Sequence, residues 1–213
     1  MLDFFEEYNI DTKHFTNGSH NKSVDGTGVL PSVDERVSNM FGDFIKNHLD
    51  KKNNITHLDI GGGRCWLSKG LDESGSFDSY SFEGSITLLP YIVHNHKKVA
   101  IVDLSKEITD LRLHRVFDVT TSFEVIEHVH RDDQLQFWKN ISYLSKYHIC
   151  SIHVMNEEHP AHCTINKSSV WNRIFEELGI KYKIIDNIVP EWDCSVSYFL
   201  TLPEKITNTS NFR

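Results

Sequence analysis

Residues 57–71 read HLDIGGGRCWLSKGL: an apolar stretch closes at Asp59 and Ile60, Gly61, Gly62 and Gly63 follow, and an amphipathic run starts near Trp66. The stretch ITHLDI (55–60) predicts a buried strand, and CWLSKGL (65–71) a short helix. Glycines between them let the backbone turn sharply and approach a ligand closely, at the carboxyl edge of a doubly wound sheet where cofactors bind. Two phosphate-binding readings fail on the residues themselves. A dinucleotide fingerprint requires Gly or Ala where this chain has Trp66, and no Gly-Lys-Ser/Thr follows to form a P-loop.

Outward from the glycines, the text alternates. SYSFEG (79–84), KVAIVDL (98–104), FDVTTSF (117–123) and YHICSIHVM (147–155) read as strands, while SITLLPYIVHNH (85–96), interrupted at Pro90, and DDQLQFWKNISYLS (132–145) read as helices. Such alternation implies parallel strands joined by crossover helices. A last helix, KSSVWNRIFEELG (167–179), ends on Gly179 at a C-cap position. Two strands follow, KYKIIDNIV (181–189) and CSVSYFLTL (194–202), and their PEWD link is too short for a parallel crossover. They are expected to pair as an antiparallel hairpin. Upstream, PSVDERVSNMFGDFIKNHLDKK (31–52) carries apolar residues at helical spacing, whereas residues 1–30 are polar loops that could serve as a lid or a tail. The expected architecture is one α/β domain over residues 31–213. It is a single Rossmann-like, doubly wound, seven-stranded sheet, mostly parallel with a C-terminal antiparallel hairpin and helices on both faces.

Two acidic residues sit where strands end. Glu83 closes one predicted strand, placed to accept hydrogen bonds from both hydroxyls of a ribose, and Asp103 ends the next. From Asp59 to Glu83 to Asp103 each interval fits one strand-helix-strand unit. At these residues the chain resembles the class I S-adenosylmethionine-dependent methyltransferases. The family's first motif, D-x-G-x-G-x-G, is matched by Asp59-Ile60-Gly61-Gly62-Gly63-Arg64-Cys65, with Cys65 in place of the last glycine. The resemblance, which runs from about Thr56 to Leu200, implies S-adenosylmethionine as cofactor. It assigns Glu83 to the ribose, Asp103 and Leu104 to the adenine edge, and Ser122 and Glu124 of the fourth motif to the cofactor side.

The segment FEVIEHV places Glu124, Glu127 and His128 at i, i+3 and i+4, a spacing that converges on one helical face. Two carboxylates and an imidazole make a partial site for a divalent ion. The plainer alternative is a helix start: acids in a first turn gain about 0.3–1 kcal/mol from the macrodipole. Farther on, His159 and His162 follow the next strand. In detail the segment is similar to ubiquinone-biosynthesis O-methyltransferases and small-RNA 3′-terminal ribose methyltransferases. That pattern implies Glu124, Glu127, His128 and His162 as ligands for Mg, Mn or Zn, with His159 in reserve. Without metal, His128 or His162 is the candidate general base, and Glu124, His128 and His162 form the candidate catalytic set. Trp66, Phe82 and Phe123 are expected in the core rather than in a site.

Composition narrows the function. Thirty acidic against 22 basic residues give a formal charge of -8, which opposes non-specific nucleic-acid binding. Cys65, Cys150, Cys163 and Cys194 form no C-x-x-C pair, and no apolar run approaches the roughly 20 residues of a membrane span, so a soluble, cytoplasmic protein is expected. The resulting expectation is methyl transfer to oxygen on a small hydroxylated molecule, with an RNA terminus or a sugar as the alternative acceptor. Two rivals from other classes remain: a catalytically silent binding module, which Cys65 favours, and a nicotinamide oxidoreductase, which Trp66 disfavours.

Overall fold

The computed structural model describes residues 35–84, 98–154, 162–186 and 194–207. The polar segment 1–30, the expected helix around Pro90, His159 and the link 190–193 lie outside the described residues. The chain divides into two compact units, Met1–Asp103 and Leu104–Arg213.

In the first unit, helix α1 (Glu35–Leu49) leads to β1 (Ile55–Ile60), α2 (Trp66–Glu73), β2 (Phe77–Glu83) and β3 (Val99–Ile101). Phe41 and Ile45, one helical turn apart on α1, have no exposed surface, and α1 packs against α2. Strand β1 is buried along nearly its whole length, as a parallel strand covered on both faces must be. It runs parallel to β2 from Ile55 opposite Phe77 to Ile60 opposite Phe82. Strand β3 is shorter than the expected 98–104 because it pairs with β2 only through Ser81, Phe82 and Glu83. Asp103 therefore lies two residues beyond its strand rather than at its end.

The second unit contains β4 (Phe117–Phe123), α3 (Gln134–Leu144), β5 (Ser145–His153), α4 (Ser168–Glu177), β6 (Lys181–Ile185) and β7 (Ser195–Thr201). Its core is aromatic. Phe175 of α4 meets Trp138 of α3 edge-on at 5.3 Å and Tyr198 of β7 at 5.2 Å, and all three side chains are fully buried. Helix α4 stops where the sequence requires it. Gly179 adopts φ 70°, Ile180 N–H reaches back to Phe175 C=O (2.8 Å) and Gly179 N–H to Glu176 C=O (3.1 Å), which together make a Schellman cap.

The seven strands run in the order β3-β2-β1 in the first unit and β4-β5-β7-β6 in the second. Strands β4 and β5 are parallel, whereas β7 runs antiparallel to both β5 and β6, so the expected C-terminal hairpin is present with β7 inserted beside β5. No helix among the described residues is long and apolar enough to cross a membrane.

Candidate functional site

The glycine loop of the first unit is shaped by the end of β2. Gly61 and Gly62 N–H both donate to Phe82 C=O (2.8 and 3.2 Å), and Gly63 N–H donates to the Glu83 carboxylate at 2.8 Å. Glu83 is 6 % exposed, so this bond fixes an acid at the strand end next to the loop. Gly61 and Gly63 take φ of 70° and 56°, backbone that glycine adopts without strain. Cys65, in the position of the family's last glycine, also adopts the left-handed conformation, φ 63° and ψ 27°. The loop thus keeps the turn a glycine would give. The thiol is wholly buried, and burial pushes it up to about 12, so it is an inert packing group at neutral pH.

Gly62 is required for a different reason. A Cβ there would stand 2.8 Å from Ser81 Oγ and 3.1 Å from Asp59 Oδ2, where Ser81 is already bonded to Ser68 at 2.6 Å. Gly62→Ala is expected to cost about 1–3 kcal/mol through overpacking. Urea unfolding should show the midpoint fall with the slope unchanged.

Other expectations in the first unit divide. Phe82 is core, at 1 % exposure, but Trp66 is 38 % exposed at the start of α2, which corrects its expected burial. Asp59 is buried at 4 %. Leu104 opens the second unit, where its carbonyl accepts from Asn140 Nδ2 at 2.9 Å.

In the second unit, β4 ends at Phe123 and Glu124 follows with φ 54°. That left-handed residue breaks the expected helical run, and the turn that follows is a short 3₁₀ piece over Ile126–His128. Glu124 is therefore not on one helical face with Glu127 and His128. Its N–H donates to Ser151 C=O (3.2 Å), Ser151 Oγ donates to Glu124 Oε1 (2.8 Å), and His153 Nδ1 lies 3.6 Å from Oε2. Glu124 thus faces the end of β5. Ser122 is 2 % exposed, and its hydroxyl bonds His148 Nε2 at 2.9 Å inside the sheet, so its side chain is a packing partner of His148.

Glu127 organises the rest. Its carbonyl accepts the N–H groups of Cys163 (2.8 Å) and Thr164 (3.1 Å), which tie the segment after β5 to the 3₁₀ turn. This brings the His162 ring to 4.8 Å from His128, at an interplanar angle of 72°, and 4.7 Å from His153. One ligand atom each from Glu127, His128 and His162 lie within 4.8 Å of one another. Two donors on one ion, at bonds of about 2.0–2.2 Å, stand no more than roughly 4.4 Å apart, so a few tenths of an ångström of adjustment lets this trio hold a cation.

The Glu127 carboxylate is wholly buried, with the Glu124 carboxyl and the His153 backbone beside it, and neither of its oxygens makes a hydrogen bond of full geometry. Burial, and secondarily the charge of Glu124, holds its carboxyl well above the usual carboxylate range. Such an acid, buried beside imidazoles, fits a divalent ion, whose charge would offset both penalties. His153, which no motif in the sequence singles out, is 7 % exposed with a partnerless buried Nε2. Its one mark in the sequence is its place at the carboxyl end of a strand parallel to β4, which a packing histidine shares.

No family model matches the chain, and no curated protein matches its sequence. Solved structures do match its fold. An S-adenosylmethionine-dependent methyltransferase from Clostridium acetobutylicum superimposes with a TM-score of 0.61 at 13% identity, covering 80% of this chain and 92% of that one. A TehB-like S-adenosylmethionine-dependent methyltransferase from Corynebacterium glutamicum gives 0.60 at 12% identity, covering 81% and 89%. The small RNA methyltransferase HEN1 gives 0.57 at 18% identity, covering 80% of this chain and 26% of that one. The chain has the fold of the S-adenosylmethionine-dependent methyltransferases.

Proposed function

We propose that the chain transfers a methyl group from S-adenosylmethionine to a hydroxyl oxygen of a small acceptor that carries neighbouring oxygens, assisted by a divalent cation. The observation that carries this reading is the buried Glu127 carboxylate, without a hydrogen bond of full geometry, beside His128 and His162. The cofactor supplies an electrophilic methyl group. A cation at Glu127, His128 and His162 would supply Lewis acidity, which favours the ionised form of a bound hydroxyl.

The chain's own residues do the remaining work. Glu83, held by Gly63 N–H, offers a carboxylate to ribose hydroxyls, and the glycine turn allows close approach of the backbone to the cofactor. Glu127, His128 and His162 fix the position of an acceptor's oxygens, and such orientation lowers the barrier of a bimolecular displacement. In the absence of metal, an imidazole of His128 or His162, both half-buried, takes the hydroxyl proton at a ring nitrogen.

A second reading, transfer to the terminal ribose of an RNA, is supported by the fold likeness to HEN1 and by the E-x-x-E-H string. Against extended RNA contact stands the formal charge of -8. Methyl-labelled cofactor offered with catechols, vicinal diols, amines, and oligoribonucleotides with and without a 3′-terminal diol separates these readings. The expected result is labelled small diol, with EDTA lowering turnover by about 10²–10⁴-fold, the scale of assisted proton removal. Labelled amine alone would contradict the oxygen acceptor, and transfer indifferent to EDTA would contradict the cation.

A further inference from the structure

The residues around Glu127 divide differently from the pattern that the sequence resemblance implies. There, both glutamates of E-x-x-E-H are ligands. Here Glu124 and His153 both stand outside the tight trio of Glu127, His128 and His162, and the two Glu124 oxygens face Ser151 (2.8 Å) and His153 Nδ1 (3.6 Å). His153 is the more telling residue. It is more than nine-tenths buried, one ring nitrogen faces a carboxylate, and the other, Nε2, has no partner. Its ring lies 4.7 Å from that of His162.

Metal-bound histidines usually show this arrangement: the far nitrogen is turned to a carboxylate that fixes the ring and its tautomer, while the near nitrogen is left for the ion. A partnerless nitrogen on a buried imidazole calls for an explanation, and a bound ion is one. We propose that His153 is a fourth metal ligand, giving a set of Glu127, His128, His153 and His162, and that Glu124 is the positioning carboxylate behind His153. The inference rests on the metal-assisted reading above. Three imidazoles and one carboxylate favour a borderline transition ion such as Zn²⁺, Co²⁺ or Ni²⁺, whereas Mg²⁺ prefers oxygen donors.

The test uses the full chain, stripped with EDTA and titrated with Co²⁺, whose visible bands report the number and type of its ligands. His153→Ala, His153→Leu and Glu124→Gln are compared with wild type, and circular dichroism confirms that each folds. Leucine fills the ring's volume without offering a donor, so agreement of the two His153 variants separates lost ligation from lost packing. Glu124→Gln should weaken Co²⁺ by about 10- to 100-fold with the bands unmoved, as loss of an outer carboxylate does. Both His153 variants should weaken it further and shift the bands, free imidazole should restore the bands in His153→Ala, and Mg²⁺ should fail to displace Co²⁺ from wild type. Two results overturn the proposal. If the His153 variants bind Co²⁺ with wild-type bands while Glu124→Gln alone shifts them, Glu124 is the ligand and the metal-assisted reading survives. If wild type binds no Co²⁺, both the ligand set and the metal-assisted reading fail.

Discussion

Replacing Glu127 with glutamine is expected to raise the melting temperature of the metal-free protein above neutral pH while abolishing its binding of divalent cations. Both effects have one cause. The side chain is fully buried with neither oxygen in a hydrogen bond of full geometry, and burial together with the neighbouring Glu124 raises its carboxyl well above the ordinary 4.5. The folded protein therefore holds this proton more tightly than the unfolded chain does. It follows that this group makes stability fall as pH rises from about its ordinary value up through the raised folded one. Glutamine has no charge to bury, so its advantage should be absent near pH 4 and grow with pH to about 1–3 kcal/mol, the scale of an unsatisfied buried polar group. For a chain of this length each kcal/mol is worth roughly 2–4 °C. Thermal melts of EDTA-treated wild type and variant across pH 4 to 9 read the effect directly. A glutamine variant that melts below wild type at every pH would show that the carboxylate is a structural asset rather than a ligand kept at a cost in stability.

Glu83→Ala is expected to remove most of the affinity for S-adenosylhomocysteine. Glu83 is 6 % exposed and accepts from Gly63 N–H at 2.8 Å, so alanine takes away both the proposed ribose acceptor and the anchor of the glycine loop. Hydrogen bonds to a charged group contribute about 1.5–3 kcal/mol each, so losing the pair to a ribose corresponds to at least about a hundredfold weaker binding. Glu83→Gln keeps an acceptor for Gly63 N–H and should lose less. Calorimetric titration of the three proteins checks the order, and equal affinities across them would remove Glu83 from the cofactor site.

The sheet was legible wherever local pattern and pairing agree. ITHLDI, closed by three glycines, and FDVTTSF, with its dense β-branched residues, give β1 and β4 at their observed bounds. KVAIVDL is equally apolar, but β3 keeps only the residues that face Ser81–Glu83, a limit set by the partner strand. The site was legible in composition and not in geometry. E-x-x-E-H suits a helix by spacing, yet Glu124 adopts φ 54° and the turn that follows is 3₁₀. The contacts that gather the histidines, from Cys163 and Thr164 to the Glu127 carbonyl, span more than thirty residues of backbone, and no periodicity encodes them. His153 escaped notice because a strand-end histidine looks the same in sequence whether it packs or ligates. Cys65 is the converse case: it departs from the motif in letters and keeps the motif's left-handed turn.

The most direct test of the central claim is a thermal-shift titration of EDTA-treated wild-type protein with S-adenosylhomocysteine, using NADH as the control ligand. At 100 times its dissociation constant a single-site ligand adds about 2.7 kcal/mol of stability, or roughly 5–11 °C for a chain of this size. The account predicts that shift for S-adenosylhomocysteine, none for NADH, and its loss in Glu83→Ala. No shift with S-adenosylhomocysteine up to millimolar concentration, or a shift with NADH alone, would contradict it.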